Sequence, residues 1–89
     1  MYLAFDVGTT SVKVALFDRA GRIAAKSIVD YRLETPGVNR YEADPDLYWN
    51  AVADGVRDVL RRSAVDPAAV RTVSGCSQGE TVVLLGKDD

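Results

Sequence analysis

Residues 2–17 read Tyr2-Leu3-Ala4-Phe5-Asp6-Val7-Gly8-Thr9-Thr10-Ser11-Val12-Lys13-Val14-Ala15-Leu16-Phe17, and the fold turns on them. In the first six, Leu3, Phe5 and Val7 face one way and Tyr2, Ala4 and Asp6 the other, the period of a strand. Gly8 to Ser11 form a tight turn. The alternation then resumes, with Val12, Val14 and Leu16 on one face and Lys13, Ala15 and Phe17 on the other. Strands joined by so short a turn pair antiparallel.

Outward from this hairpin, Asp18-Arg19-Ala20-Gly21 is a second turn. Arg22 to Leu33 predicts a third strand, with the repeated charge of a sheet edge. Residues 34–43, carrying Pro36-Gly37, read as a loop. Asp44-Pro45 then opens a helix, a capping carboxylate followed by proline at the first helical position. Its predicted apolar stripe is Trp49, Val52, Val56, Val59 and Leu60, with Trp49 in the core. Arg61 and Arg62 suit its C-terminal turn. Asp66-Pro67 repeats the cap signal for one short turn. Val70 to Ser74 predicts a fourth strand, residues 76–80 a loop and Thr81 to Leu85 a fifth strand. A helical crossover brings the fourth strand in parallel, beside the first.

The 89 residues allow one domain and one core. Hydrophobic residues at 47% and charged residues at 27% are an ordinary globular balance, so a disordered or collagenous chain is excluded. Eleven basic and thirteen acidic residues leave a net charge of −2 and no basic field for nucleic acid or anionic lipid. The absence of histidine removes any Ser-His-Asp triad or histidine-ligated zinc within the chain. The single cysteine, Cys76, permits no internal disulfide and reads as a small buried filler. With no long apolar run and no basic leader, a cytoplasmic chain is expected. The closing Gly86-Lys87-Asp88-Asp89 reads as the approach to another turn rather than a natural end.

Two segments carry chemistry. Asp6 ends the first strand, where a carboxylate can hold a hydrated Mg²⁺. Gly8 allows close backbone approach, and Thr9, Thr10 and Ser11 offer N–H groups and hydroxyls to phosphate oxygens, with Lys13 adding charge. A plain hairpin turn satisfies the same spacing. Ser74-Gly75-Cys76-Ser77-Gln78-Gly79-Glu80-Thr81 follows a parallel strand, where open α/β sheets bind ligands. Gln78 can donate and accept, and Glu80 accepts, as sugar hydroxyls require. A solvated turn is the competing reading.

Asp6-x-Gly8-Thr9-Thr10 at the start of an N-terminal hairpin resembles the phosphate loop of the actin-like ATPase superfamily. Tyr41-Glu42-Ala43-Asp44-Pro45-x-x-x-Trp49 resembles the Glu-x-Asp-Pro-x-x-x-Trp segment of the FGGY carbohydrate kinases. The segment around Gln78 and Glu80 is similar to the sugar loops of glycerol kinases and xylulokinases. It departs from both: Gly79 stands where glycerol kinases carry Arg, and Gln78 where xylulokinases carry His.

The resemblance implies an α/β ribonuclease-H-like mixed sheet of three antiparallel strands, a helix and a parallel strand. Residues 1–89 would be a single partial domain, the truncated N-terminal part of the first lobe. It implies an ATP-dependent sugar or polyol kinase, with Gly8, Thr9, Thr10, Ser11 and Lys13 on the ATP phosphates. Gln78, Gly79 and Glu80 would meet the substrate, and Asp6 would hold Mg²⁺ through water. The general-base Asp is expected beyond residue 89, so the chain alone should be inactive, its partners being the substrate and the rest of the kinase chain. The alternative is a stand-alone nucleotide-binding or interaction module of the actin-like superfamily, which a stop codon at residue 89 would favour. With one helix to cover a sheet that needs two covered faces, the isolated chain is expected to self-associate.

Overall fold

A computed structural model describes residues 1–32, 34–37, 40–42, 44–77 and 86–87. Strand β1 (Tyr2–Val7) pairs antiparallel with β2 (Ser11–Phe17), aligning Leu3 with Leu16, Phe5 with Val14 and Val7 with Val12. Every one of these pairs is apolar, so the hairpin has one hydrophobic face. The alternate pairs, Ala4 with Ala15 and Asp6 with Lys13, occupy the other face. Strand β3 (Ile23–Asp30) continues the antiparallel order on β2, placing Ala25 against Leu16 and Val29 against Val12.

A small hairpin of β4 (Glu34–Gly37) and β5 (Arg40–Glu42) occupies most of the segment expected to be a loop. Helix α1 (Pro45–Ser63) follows, then a single 3-10 turn at Pro67–Ala69 and strand β6 (Thr72–Ser77). β6 lies parallel to β1, and the four-stranded sheet has the order β3-β2-β1-β6. The expected fold class is therefore the observed one.

Local chemistry sets the helix ends. Asp44 caps α1 by accepting from the Asp46 N–H at 3.0 Å, and Pro45 occupies the first turn. Asp66 caps the 3-10 turn in the same way through the Ala68 N–H at 2.9 Å. The helix lies on β2 and β3. Ala51, Gly55 and Val59 form its buried line, meeting Leu3, Val12, Val14, Leu16, Ala25 and Tyr31 in one core. Gly55 makes the closest approach, since a Cβ there would stand 2.6 Å from Cγ2 of Val14. At the far end, Asp58 receives Arg61 at 2.7 Å and Arg62 at 3.0 Å, and Arg62 also donates to the Lys26 carbonyl on β3.

Besides the β4–β5 hairpin, the structure corrects four expectations. Trp49 is 71% exposed rather than in the core. At ~100° per residue it stands about 200° around the helix from the buried Ala51, on the solvent side. Cys76 is exposed and lies inside β6, not in a loop. The fourth strand runs to Ser77 instead of Ser74, because main-chain pairing with β1 continues through Gly75 and Cys76. The third strand stops at Asp30, where Tyr31 turns inward. The expected fifth strand, 81–85, lies outside the described residues.

Candidate functional site

Asp6 is the penultimate residue of β1 and has two neighbours in register, Lys13 on β2 and Cys76 on β6. Side chains opposed in this way stand about 5 Å apart at Cβ. An ammonium, a carboxylate and a thiol therefore share one row on the sheet face that α1 leaves uncovered. There they border a shallow cavity of about 490 Å³, lined also by Ala4, Ala15 and Phe17. Hydrogen bonding to the Asp6 carboxylate, then desolvation and the carboxylate's charge, push the Cys76 thiol above its ordinary pKa. Cys76 is thus an unactivated thiol: its neighbour in the row is the Asp6 carboxylate, and the Lys13 ammonium stands one strand farther away, on the other side of Asp6.

Beyond Asp6 the chain turns at once. The Gly8 N–H donates to the Ser11 carbonyl at 2.8 Å, closing the turn. A Cβ on Gly8 would stand 3.1 Å from that same oxygen, so the tight closure favours glycine. Thr9 and Thr10 are exposed at the tip. The turn is also held from β3: the Tyr31 N–H donates to the Thr10 carbonyl at 3.0 Å, and the Tyr31 hydroxyl donates to the Gly8 carbonyl. The Tyr31 ring stands edge-on to Tyr48 of α1, with centroids 5.3 Å apart and planes at 86°. Nothing in the sequence spacing joins Tyr31 to Gly8, and this contact escaped the sequence reading.

Gln78, Gly79 and Glu80 lie outside the described residues. Ser77, the last described residue before them, is the register partner of Val7, so the end of β6 lies beside the end of β1 that leads into the Gly8 turn.

A single partly exposed carboxylate, with exposed threonine hydroxyls a turn away, fits Mg²⁺ held through water. That ion keeps most of its hydration shell and takes few protein ligands. Among the described residues there is no cluster of three or more acidic, cysteine or histidine side chains that would instead cage a metal.

The N-terminal domain of the FGGY family of carbohydrate kinases matches residues 1–89 of the chain. A glycerol kinase of Allorhizobium ampelinum is 34% identical over 86 residues, 97% of this chain and 17% of its own length. A protein of Haemophilus influenzae named "Probable L-xylulose kinase" is 31% identical, over 99% of this chain and 18% of its own. The crystal structure of gluconate kinase from Lactobacillus acidophilus superposes with a TM-score of 0.84 at 31% identity, covering 99% of this chain and 18% of the other. The chain thus spans under a fifth of the length of these relatives.

Proposed function

The chain belongs to the FGGY family of carbohydrate kinases, whose N-terminal domain it matches throughout, and from that membership we propose that it supplies the phosphate-binding corner of an ATP-dependent sugar or polyol kinase. The observation that carries this reading is the closed Gly8–Ser11 turn at the carboxyl end of β1, with Asp6 and Lys13 side by side beneath it.

In the complete kinase Thr9, Thr10, Ser11 and Lys13 hold ATP phosphate oxygens through main-chain N–H groups, hydroxyls and one ammonium, and Gly8, whose own N–H closes the turn, lets the phosphate approach the backbone. Asp6 holds the water shell of Mg²⁺. When bound, that ion offsets charge on the phosphate being transferred. Gln78, Gly79 and Glu80 hold substrate hydroxyls. The named substrates of the three relatives, glycerol, a ketose and a sugar acid, share adjacent hydroxyls, and that chemistry suits Gln78 and Glu80. Phosphoryl transfer also needs a base at the acceptor hydroxyl. In this proposal the base, the remaining nucleotide contacts and the cover of the open sheet face come from the rest of the kinase chain, and the 89 residues alone transfer no phosphate. No helix among the described residues is long and apolar enough to cross a membrane, and the proposed setting is the cytoplasm, where ATP is abundant.

The test is substrate-dependent ADP formation by the complete kinase across polyols, ketoses and sugar acids, in wild type and Asp6→Asn. The variant should lose roughly two orders of magnitude or more in turnover, because charge stabilisation by a metal is worth several kcal/mol. Substrate affinity should change little. Turnover within a few-fold of wild type would return Asp6 to the role of a strand-end residue.

A further inference from the structure

We propose that Tyr31 is a positioning residue for the Gly8–Ser11 turn, holding the Gly8 and Thr10 carbonyls toward itself so that the N–H groups on the far side of those two peptides are presented to the phosphates. The inference rests on the phosphate-binding reading of that turn and extends it to a residue 23 positions away.

Tyr31 grips the turn with both of its donors. Its main-chain N–H takes the Thr10 carbonyl at 3.0 Å and its hydroxyl takes the Gly8 carbonyl. A trans peptide is planar, and its C=O and N–H point in opposite directions. Fixing the Gly8 carbonyl toward Tyr31 therefore aims the Thr9 N–H away from it. Fixing the Thr10 carbonyl does the same for the Ser11 N–H. One side chain and one amide thus set two of the three peptide planes of the turn, Gly8–Thr9 and Thr10–Ser11, in the segment that must present donors to an anion.

The grip is itself rigid. Tyr31 is only 8% exposed, and its ring is braced edge-on by Tyr48, a half-buried residue of α1 packed against the core. Burial first, with Tyr48 and Asp6 nearby, raises the pKa of the hydroxyl above its ordinary value, so it stays protonated and remains a donor. The Asp44 cap, the seating of α1 and the orientation of the phosphate turn are in this way linked through two tyrosine rings. Preorganised main-chain donors matter most where charge must be met without rearrangement.

The experiment is Tyr31→Phe in the complete kinase, which removes one oxygen and keeps the ring against Tyr48. The expected result is a fall of about tenfold in kcat/KM for ATP, with the KM for the acceptor substrate within about twofold of wild type. Hydrogen exchange of the amides in residues 8–11 should quicken, while exchange in α1 stays as it was. An unchanged kcat/KM for ATP, or equal losses for both substrates, would overturn the proposal and leave Tyr31 as a packing residue. A wild-type enzyme that forms no substrate-dependent ADP would instead overturn the kinase reading. The exchange rates at the turn would then decide alone whether Tyr31 sets its geometry, unaltered exchange counting against it.

Discussion

Asp6 and Cys76 are register partners across the parallel pair β1–β6, and the carboxylate of Asp6 holds the Cys76 thiol above its ordinary pKa. The contact gives the open sheet face a chemical reporter, because the thiolate is the reactive form and Asp6 disfavours it. Cys76 should therefore alkylate slowly near neutral pH despite its exposure. Asp6→Asn should speed alkylation severalfold by removing the charge and weakening the acceptor. Timed labelling with iodoacetamide at fixed pH measures this, and equal rates in the two proteins would mean that the thiol points elsewhere.

Gly55→Ala should destabilise the chain. The added Cβ would meet Cγ2 of Val14 at 2.6 Å, and Val14 is a buried, β-branched residue with little room to move. Overpacking of this kind costs about 1–3 kcal/mol, whereas the helix propensity gained over glycine is about 1 kcal/mol. Urea unfolding should show a net loss, and Val14→Ala in the same molecule should relieve part of it. A more stable Gly55→Ala protein would mean that α1 sits farther from the sheet.

Asp58 ties the end of α1 to the sheet, and its pKa is lowered, first by a hydrogen bond from Ser27 and then by Arg61 and Arg62. A carboxyl whose folded pKa lies below its unfolded value adds stability above the unfolded pKa and loses it as pH falls through the folded one. The chain should therefore lose part of its thermal stability as pH drops below the ordinary carboxylate range. Asp58→Asn should melt lower at pH 7 and show a shallower acid limb. Melting curves from pH 7 to 2 for both proteins check this, and parallel curves would assign the acid sensitivity to other groups such as Asp18, whose pKa is also lowered.

Trp49 separates residue type from residue position. Its apolar ring suggested the core, yet the rotation from Ala51 puts it in water at 71% exposure. In the folded chain its fluorescence should be quenched by acrylamide nearly as readily as in urea. Trp49→Ala should change stability by no more than about 0.5 kcal/mol, as for other surface positions. A strongly shielded, blue-shifted emission would restore the core assignment.

The residues that spoke through local chemistry were legible. Alternation gave the β1–β2 hairpin, and Asp44-Pro45 and Asp66-Pro67 marked two starts that each place a carboxylate on an N–H two residues on. What escaped depended on partners distant in sequence. β6 continues through Gly75-Cys76-Ser77, although glycine is a poor strand former, because β1 offers these residues a main-chain ladder. Glu34–Gly37 forms half of a hairpin although Pro36-Gly37 reads as a loop. The Tyr31 hydroxyl meets Gly8 only after β3 has folded onto β2, so no spacing announces it. In the site itself, Asp6, Gly8 and Thr9 to Ser11 were legible as a unit because they are contiguous, whereas the tyrosine that braces them was not.

The isolated 89-residue chain should self-associate, by burying the sheet surface that α1 does not reach. The helix lies over β2 and β3, and Val73 on β6 remains 60% exposed. On the opposite face Ile28 is 58% exposed, and Tyr2 and the cavity bordered by Ala4, Ala15 and Phe17 extend the apolar surface. Among the described residues nothing pairs with the outer side of β6, which leaves a row of main-chain donors and acceptors for a second copy. Apolar faces and an open edge together favour strand pairing between copies over simple contact, since pairing satisfies the edge while covering Val73. Light scattering after size exclusion at micromolar concentration should give a mass of at least twice 9.6 kDa. Replacing Val73 with Lys should shift the population toward monomer by placing like charges at the paired edge. A clean monomer in wild type, binding no dye specific for apolar surface, would overturn the expectation.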